Sequence, residues 1–247
     1  SYMGVLAARL MRKKTIYVMH GCAAYETVIN RFKGDSSVRV ENAHLESVSL
    51  VLCVSEQFMK WFHDHYPEYR AKSSYLNNGV DWTAYSGGVR TTDHAKDPKM
   101  LITMGGGRPQ KNNLTLAKAI QQLNEEHSTD YRLYVLGRDY AHTCQIKQIP
   151  CVKYVGQVEH EEAMGYLKRA RVFIQNSIFE SFGLAPIEAL LCGCDLLVSK
   201  NVGAISIMNT ISEEDIIEDP YDINEIVGKL MLVQKLQHVL NKELVHP

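Results

Sequence analysis

The stretch Met100–Gly137, "MLITMGGGRPQKNNLTLAKAIQQLNEEHSTDYRLYVLG", decides the fold. Its apolar run "MLITM" closes on three glycines, "NNLTLAKAIQQLNEEH" repeats apolar residues at helical spacing, and "YRLYVLG" is a second short apolar run ending in glycine. Strand, helix and strand in this order form a βαβ unit, whose strands lie parallel and whose crossover is right-handed. The alternation continues with strands "CVKYVGQV", "RVFIQNS" and "CDLLVSK", separated by helices "HEEAMGYLKRA" and "APIEALLCG", and with more helix toward the end. The expectation is a complete, doubly wound α/β domain over 100–247, with ligands beyond the carboxyl ends of its strands.

Upstream, "GVLAARLMRKK" reads as a helix with a basic last turn, followed by the strand "TIYVMHG". Those cations complement a helix dipole, and they also leave peripheral membrane contact open. A second pair follows, helix "RVENAHLESVS" and strand "SLVLCVS", with Ser55 as N-cap of the next helix and a tight turn at Asn78-Gly79. The polar Gly/Pro-bearing segment before Met100 suggests a linker over 91–99, with a partial first domain over 1–90.

Lys+Arg total 27 against 28 Asp+Glu, a net charge of −1, which lacks the basic excess of a nucleic-acid binder. An anionic ligand must be held by local features. The six cysteines show no C-x-x-C pair and sit mostly in apolar contexts, so they read as buried free thiols of a reducing, cytoplasmic compartment. No apolar run approaches the roughly 20 residues that span a bilayer. No compact His/Asp/Glu cluster suggests a metal.

Two loops carry the candidate chemistry. In "MGGGRPQKNN", Gly105, Gly106 and Gly107 permit close backbone approach, Arg108 and Lys111 supply two cations, and Asn112 or Asn113 can cap the following helix. Together they form an anion site, with phosphate as the expected anion. A dinucleotide fingerprint would need glycine at Gln110, which disfavours a dinucleotide-dependent oxidoreductase, and no Walker lysine pattern follows. In "FESFGLAPIEALLCG" (179–193), Pro186 fits a first helical turn and Gly193 a helix end. The N–H groups of Phe182, Gly183 and Leu184 then lie at a helix start, with Glu180 before it and Glu188 in its first turn. Carboxylates repel phosphate and suit sugar hydroxyls instead.

"FESFGLAPIEALLCG" resembles the glutamate-pair motif of retaining glycosyltransferases with the GT-B fold, particularly family 4. The segments "HG" (20–21), "VLCVSE" (51–56), "LNNGVD" (76–81), "GGRPQKN" (106–112), "LYVLGRD" (133–139) and "VKYVGQVEHEEAMGYLKRARVFIQNS" (152–177) match in the same order. The resemblance implies two Rossmann-like domains, the first incomplete here, and transfer of a sugar from a nucleotide-diphosphate sugar to a glycan or lipid-linked acceptor. It implies that Arg108 and Lys111 neutralise the diphosphate, that the amides near Phe182–Leu184 assist, and that Glu188 holds the ribose. Glu180 would contact the donor sugar, with His20 facing it, and the backbone near Gln157-Val158 would receive the base. It also implies metal independence and no cofactor beyond the donor. A non-catalytic nucleotide-sugar-binding fragment is the alternative. Three departures stand out: Lys111 follows Arg108 by three positions where the family usually has about five, "GCDLL" replaces a proline-bearing turn, with Asp195 expected to face solvent, and the first domain is short.

Overall fold

A computed structural model describes residues 2–32, 35–80, 96–209 and 211–243. The chain divides into two compact units, one of Ser1–Val80, Glu180–Gly183 and Asn201–Ile207, the other of Asp81–Phe179, Leu184–Lys200 and Met208–Pro247. The domain boundary expected at position 90 lies outside the described residues. The last three positions of the expected 91–99 linker are already in a strand.

The second unit holds a six-stranded, all-parallel sheet: β4 (Asp97–Met104), β5 (Arg132–Leu136), β6 (Val152–Gly156), β7 (Ala170–Gln175), β8 (Asp195–Ser199) and β9 (Ile216–Ile217). Their spatial order is β6-β5-β4-β7-β8-β9, the Rossmann order with its reversal between β4 and β7. Five of the six residues of β7, the strand beside that reversal, are fully buried, as a parallel strand covered on both faces requires. The helices are α5 (Asn113–His127), α6 (Thr143–Lys147), α7 (His160–Arg169), α8 (Ala185–Leu191) and α9 (Ile223–Glu243). In α5, Leu116, Ala117, Ile120 and Leu123 form one apolar stripe, and Ile226, Val227, Leu230 and Val233 repeat its spacing in α9. Both stripes pack on the sheet with Leu101, Leu133, Val172 and Ile174. Each buried aliphatic side chain contributes about 1.5–3 kcal/mol.

The first unit contains α1 (Tyr2–Leu10), α2 (Ala23–Asn30), α3 (Asp35–Ser47), α4 (Glu56–His65) and a parallel sheet of order β1-β2-β3 (Ile16–Met19, Leu50–Cys53, Ser73–Tyr75). Ser55 caps α4 as expected, its Oγ accepting from the Phe58 N–H at 3.0 Å. The sequence reading did not assign α2. Its N-cap, Cys22, provides no side-chain bond, and the cap comes from α3, where the buried Glu41 carboxylate accepts from the N–H groups of Ala23 and Ala24 at 2.8 and 3.2 Å. Helix α1 ends at Leu10, with Arg12 in the left-handed region at φ 52°, so Arg12, Lys13 and Lys14 follow the helix instead of forming its last turn. The Asn78-Gly79 turn does not form. The backbone runs on beside β2, with the N–H groups of Leu76 and Asn78 bonded to Cys53 O and Val54 O.

Two further expectations change. Asp195 does not face solvent: it opens β8, and its carboxylate pairs with Arg171 Nε on β7 at 2.9 Å. Burial pushes its carboxyl up, against the Arg171 guanidinium that pulls it down. The cysteines divide as well. Cys22, Cys53 and Cys194 are buried, and burial pushes their thiols to about 11, 12 and 11, whereas Cys144 is exposed. Alkylation of the native protein at pH 7.5 is therefore expected to label Cys144 first, with those three reacting only after denaturation. Peptide mass spectrometry of a time course checks this. Among the described residues no helix is long and apolar enough to cross a membrane.

Candidate functional site

The loop after β4 is built by hydrogen bonds to the loop after β5. The N–H groups of Gly105 and Gly106 both donate to Leu136 O, at 2.8 and 2.9 Å, and that of Gly107 donates to Arg138 O at 3.3 Å. The His142 N–H returns a bond to Gly107 O at 3.0 Å. Gly106 has φ 58°, and a Cβ there would overlap Arg138 O. The glycines thus let two loops touch, and their amides are committed to that contact. Asn113 secures the same loop from below: it is buried, accepts from the Thr103 hydroxyl at Oδ1 (2.9 Å) and donates from Nδ2 to Gly106 O (2.9 Å). Neither Asn112 nor Asn113 makes a side-chain cap on α5. Asn112 sits in the left-handed region at φ 52° and donates instead to Pro220 O at 2.6 Å, drawn there by the segment before α9.

This framework positions the cations. Pro109–Lys111 form one 3₁₀ turn, and the Lys111 stem lies over Gly105, where a Cβ would collide with it. Arg108 reaches the loop after β5. Its Nη2 donates to Tyr140 Oη at 2.8 Å, its guanidinium lies 4.9 Å from the centre of the Tyr140 ring, and its Nε is buried without a partner among the described residues. Gln110 ties this loop to the one after β7. Its buried side chain donates to Phe179 O at 2.9 Å, while its backbone O accepts from the Ile178 N–H at 2.9 Å. The loops leaving β4 and β7 are therefore clamped together at the point where strand order reverses, which is where open α/β sheets bind ligands.

Pro186 lies in the first turn of α8, and Gly193, at φ 74°, follows its end, both as expected. No N–H of Phe182, Gly183 or Leu184 donates to a described residue. These three peptide donors, unlike those of Gly105–Gly107, are uncommitted within the described chain. Glu188 is 15% exposed and accepts from His160 Nε2, at the start of α7, at 3.1 Å. Gln157 and Val158 lie in the loop after β6, where Gln157 Oε1 accepts from Arg138 Nε at 2.8 Å. The segments that leave the carboxyl ends of β4, β6 and β7 thus carry Arg108 and Lys111, Gln157 and Val158, and Glu188, all from one sheet.

Glu180 belongs to the first unit. Its N–H donates to Asn201 O at 3.2 Å and its O accepts from the Gly203 N–H at 3.0 Å, so the segment pairs with 201–203. Ser181 links that segment to His20: its Oγ donates to His20 O, and its own O accepts from Ser55 Oγ at 2.6 Å. His20 follows β1 and its side chain is exposed. The sequence-predicted residues therefore come together as two groups, His20 with Glu180 in one unit and Arg108, Lys111, Gln157, Val158 and Glu188 in the other. Sequence reasoning missed Gln110, Tyr140, His160 and Ser181, which hold these groups. Only Gln110 carried a signal, as the polar residue where the dinucleotide pattern requires glycine. Among the described residues no group of three His, Cys, Asp or Glu side chains is arranged to hold a metal ion.

The family model described as glycosyl transferases group 1 matches residues 90–244, more than half of the chain. The chain belongs to the glycosyl transferases group 1 family. Its relatives include the O-antigen chain mannosyltransferase B of Escherichia coli, 27% identical over 143 residues, which cover 55% of this chain and 36% of that protein. Among solved structures it is similar to the sucrose-phosphate synthase of Thermosynechococcus elongatus, with TM-score 0.69, 20% identity, 94% of this chain and 62% of that one. It is also similar to Anabaena HepE in complex with UDP and glucose, with TM-score 0.64, 17% identity, 92% of this chain and 65% of that one. These likenesses carry the fold, α/β units with parallel sheets as in GT-B glycosyltransferases. The chain spans about 36% of the length of the mannosyltransferase it matches and 62–65% of the two solved chains.

Proposed function

We propose that this chain is part of a glycosyltransferase that moves a sugar from a nucleotide-diphosphate sugar to a glycan or lipid-linked acceptor, with retention of anomeric configuration. The carrying observation is the clamp at the strand-order reversal, which sets the Arg108–Lys111 loop beside the segment leading to Glu188. In this reading the Arg108 and Lys111 charges neutralise the diphosphate and the negative charge that grows on it as the glycosidic bond breaks. Gly107 keeps the backbone of that loop low beneath the diphosphate. The uncommitted N–H groups of Phe182, Gly183 and Leu184 assist the two cations. Glu188 accepts from the ribose hydroxyls, the backbone of Gln157-Val158 receives the base, and Glu180 and His20 contact the donor sugar. No covalent nucleophile is assigned. The cations take the role that a metal ion plays elsewhere, and the reaction is cytoplasmic, with the acceptor glycan or lipid-linked sugar as second substrate and peripheral membrane contact through Arg12–Lys14.

A thermal-shift screen of ADP, CDP, GDP, UDP and dTDP tests the donor reading. One base is expected to stabilise the protein well beyond the others, by about 2.7 kcal/mol at a concentration of 100 times its Kd. No shift with any of them rejects the reading. A shift without turnover of any matching nucleotide sugar by the full-length protein selects the second reading, a non-catalytic nucleotide-sugar-binding protein.

A further inference from the structure

We infer that Tyr140 is a positioning residue for Arg108, holding the guanidinium ready for the diphosphate without cancelling its charge. This rests on the reading that Arg108 neutralises the donor diphosphate. An arginine side chain has many rotamers, and an anion that binds a mobile one must first fix it. Arg108 is half-buried and is engaged twice by the same residue: Nη2 donates to Tyr140 Oη at 2.8 Å, and the guanidinium carbon lies 4.9 Å from the ring centre. Tyr140 is itself anchored. Its N–H donates to Thr143 Oγ1 at 2.8 Å, its O accepts from the Thr143 N–H at 3.1 Å, and Thr143 is buried. That turn packs on the loop after β4, because a Cβ on Gly107 would strike Thr143 and the His142 N–H is bonded to Gly107 O. Gly107 precedes Arg108, so the two partners stand on loops that are tied together right beside their contact.

The chemistry of the partner matters. A carboxylate in place of the phenol would grip the guanidinium harder, but it would also neutralise the charge that attracts the diphosphate. A phenol accepts a hydrogen bond and offers an aromatic face, and both hold a cation without a formal charge of opposite sign. The acid next in the chain, Asp139, pairs with Lys147 at 3.4 Å. With Nε enclosed and one Nη2 N–H given to Tyr140, the donors left for an anion among the described residues are those of Nη1 and the other N–H of Nη2.

The test is a double-mutant cycle on the full-length protein, with Kd measured by isothermal calorimetry for whichever of ADP, CDP, GDP, UDP and dTDP stabilises it most. Tyr140→Phe, which keeps the ring and removes the oxygen, is expected to raise Kd about threefold, and Tyr140→Ala about tenfold. In the Arg108→Ala background both substitutions are expected to leave Kd unchanged, because Tyr140 acts through Arg108. Tyr140→Phe carries the cycle by itself if the alanine variant folds poorly. If Arg108→Ala weakens binding but the Tyr140 substitutions cost nothing, or cost the same in both backgrounds as a purely structural role would, the inference is overturned and the diphosphate role of Arg108 stands. If Arg108→Ala binds like the wild type, both are overturned.

Discussion

Replacing Lys111 with alanine is expected to lower kcat for sugar transfer in the full-length protein by about 10²–10³-fold, or ~2.7–4 kcal/mol, with a smaller change in KM. The split follows from when the charge is needed. On the proposed donor reading the diphosphate is already anionic in the ground state, but its bridging oxygen gains negative charge only as the glycosidic bond breaks, so an ammonium near it stabilises the transition state more than the bound donor. The Lys111 stem rests over Gly105, on a loop whose three glycine amides are bonded to Leu136 and Arg138, so the backbone that carries this side chain is held in place. Glu188→Ala is expected to behave differently. On the proposed reading Glu188 accepts from ribose hydroxyls, which do not change in the chemical step, so the loss should fall mainly on KM, by about 10–100-fold for a charged acceptor of two hydrogen bonds. Steady-state kinetics with the cognate donor measure both, and wild-type turnover in both variants would reject the donor reading.

Gly106→Val is expected to destabilise the protein by about 2–5 kcal/mol or to abolish folding. Two costs add. The left-handed backbone at φ 58° costs a residue with a Cβ roughly 1–2 kcal/mol, and forcing that Cβ against the Arg138 carbonyl costs about 1–3 kcal/mol of overpacking. The two nearest atoms, Arg138 O and Gly137 C, belong to backbone, so no side-chain rotation relieves the clash. Gly228→Ala is the matched control: it lies in α9 with nothing within 4 Å of an added Cβ, and is expected to be neutral or stabilising by up to about 1 kcal/mol. Urea midpoints at constant m-value compare the two. Equal costs at the two positions would show that the loops after β4 and β5 do not meet as described.

The parallel sheet of the second unit was legible because its signals are local. The apolar runs of β4 to β8 and the helical stripes of α5, α7 and α8 each report their own burial, and the positions of Pro186 and Gly193 report the ends of α8, whereas α6, five residues long, is too short to show a stripe and reads as loop. Helix α2 was not legible, because the acid that caps Ala23 and Ala24 is Glu41, on another helix. Asp195 was misread for the same reason, its partner Arg171 being on the adjacent strand.

By itself the sequence determined the alternation of strands and helices, the identity of the candidate cations and carboxylates, and their assignment to loops at strand ends, since these depend on periodicity and on residues next to one another. Tertiary structure alone decided what those loops do with their backbone. It committed the amides of Gly105–Gly107 to the neighbouring loop, left those of Phe182–Leu184 without a described acceptor, and gave Glu188 to His160. It also divided the glutamate-pair segment, pairing Glu180 with 201–203 in the first unit while Glu188 stayed in the second. Hydrogen-bond partners distant in the chain leave no mark on local composition, because a donor or acceptor shows its chemistry in the sequence but not the group that satisfies it.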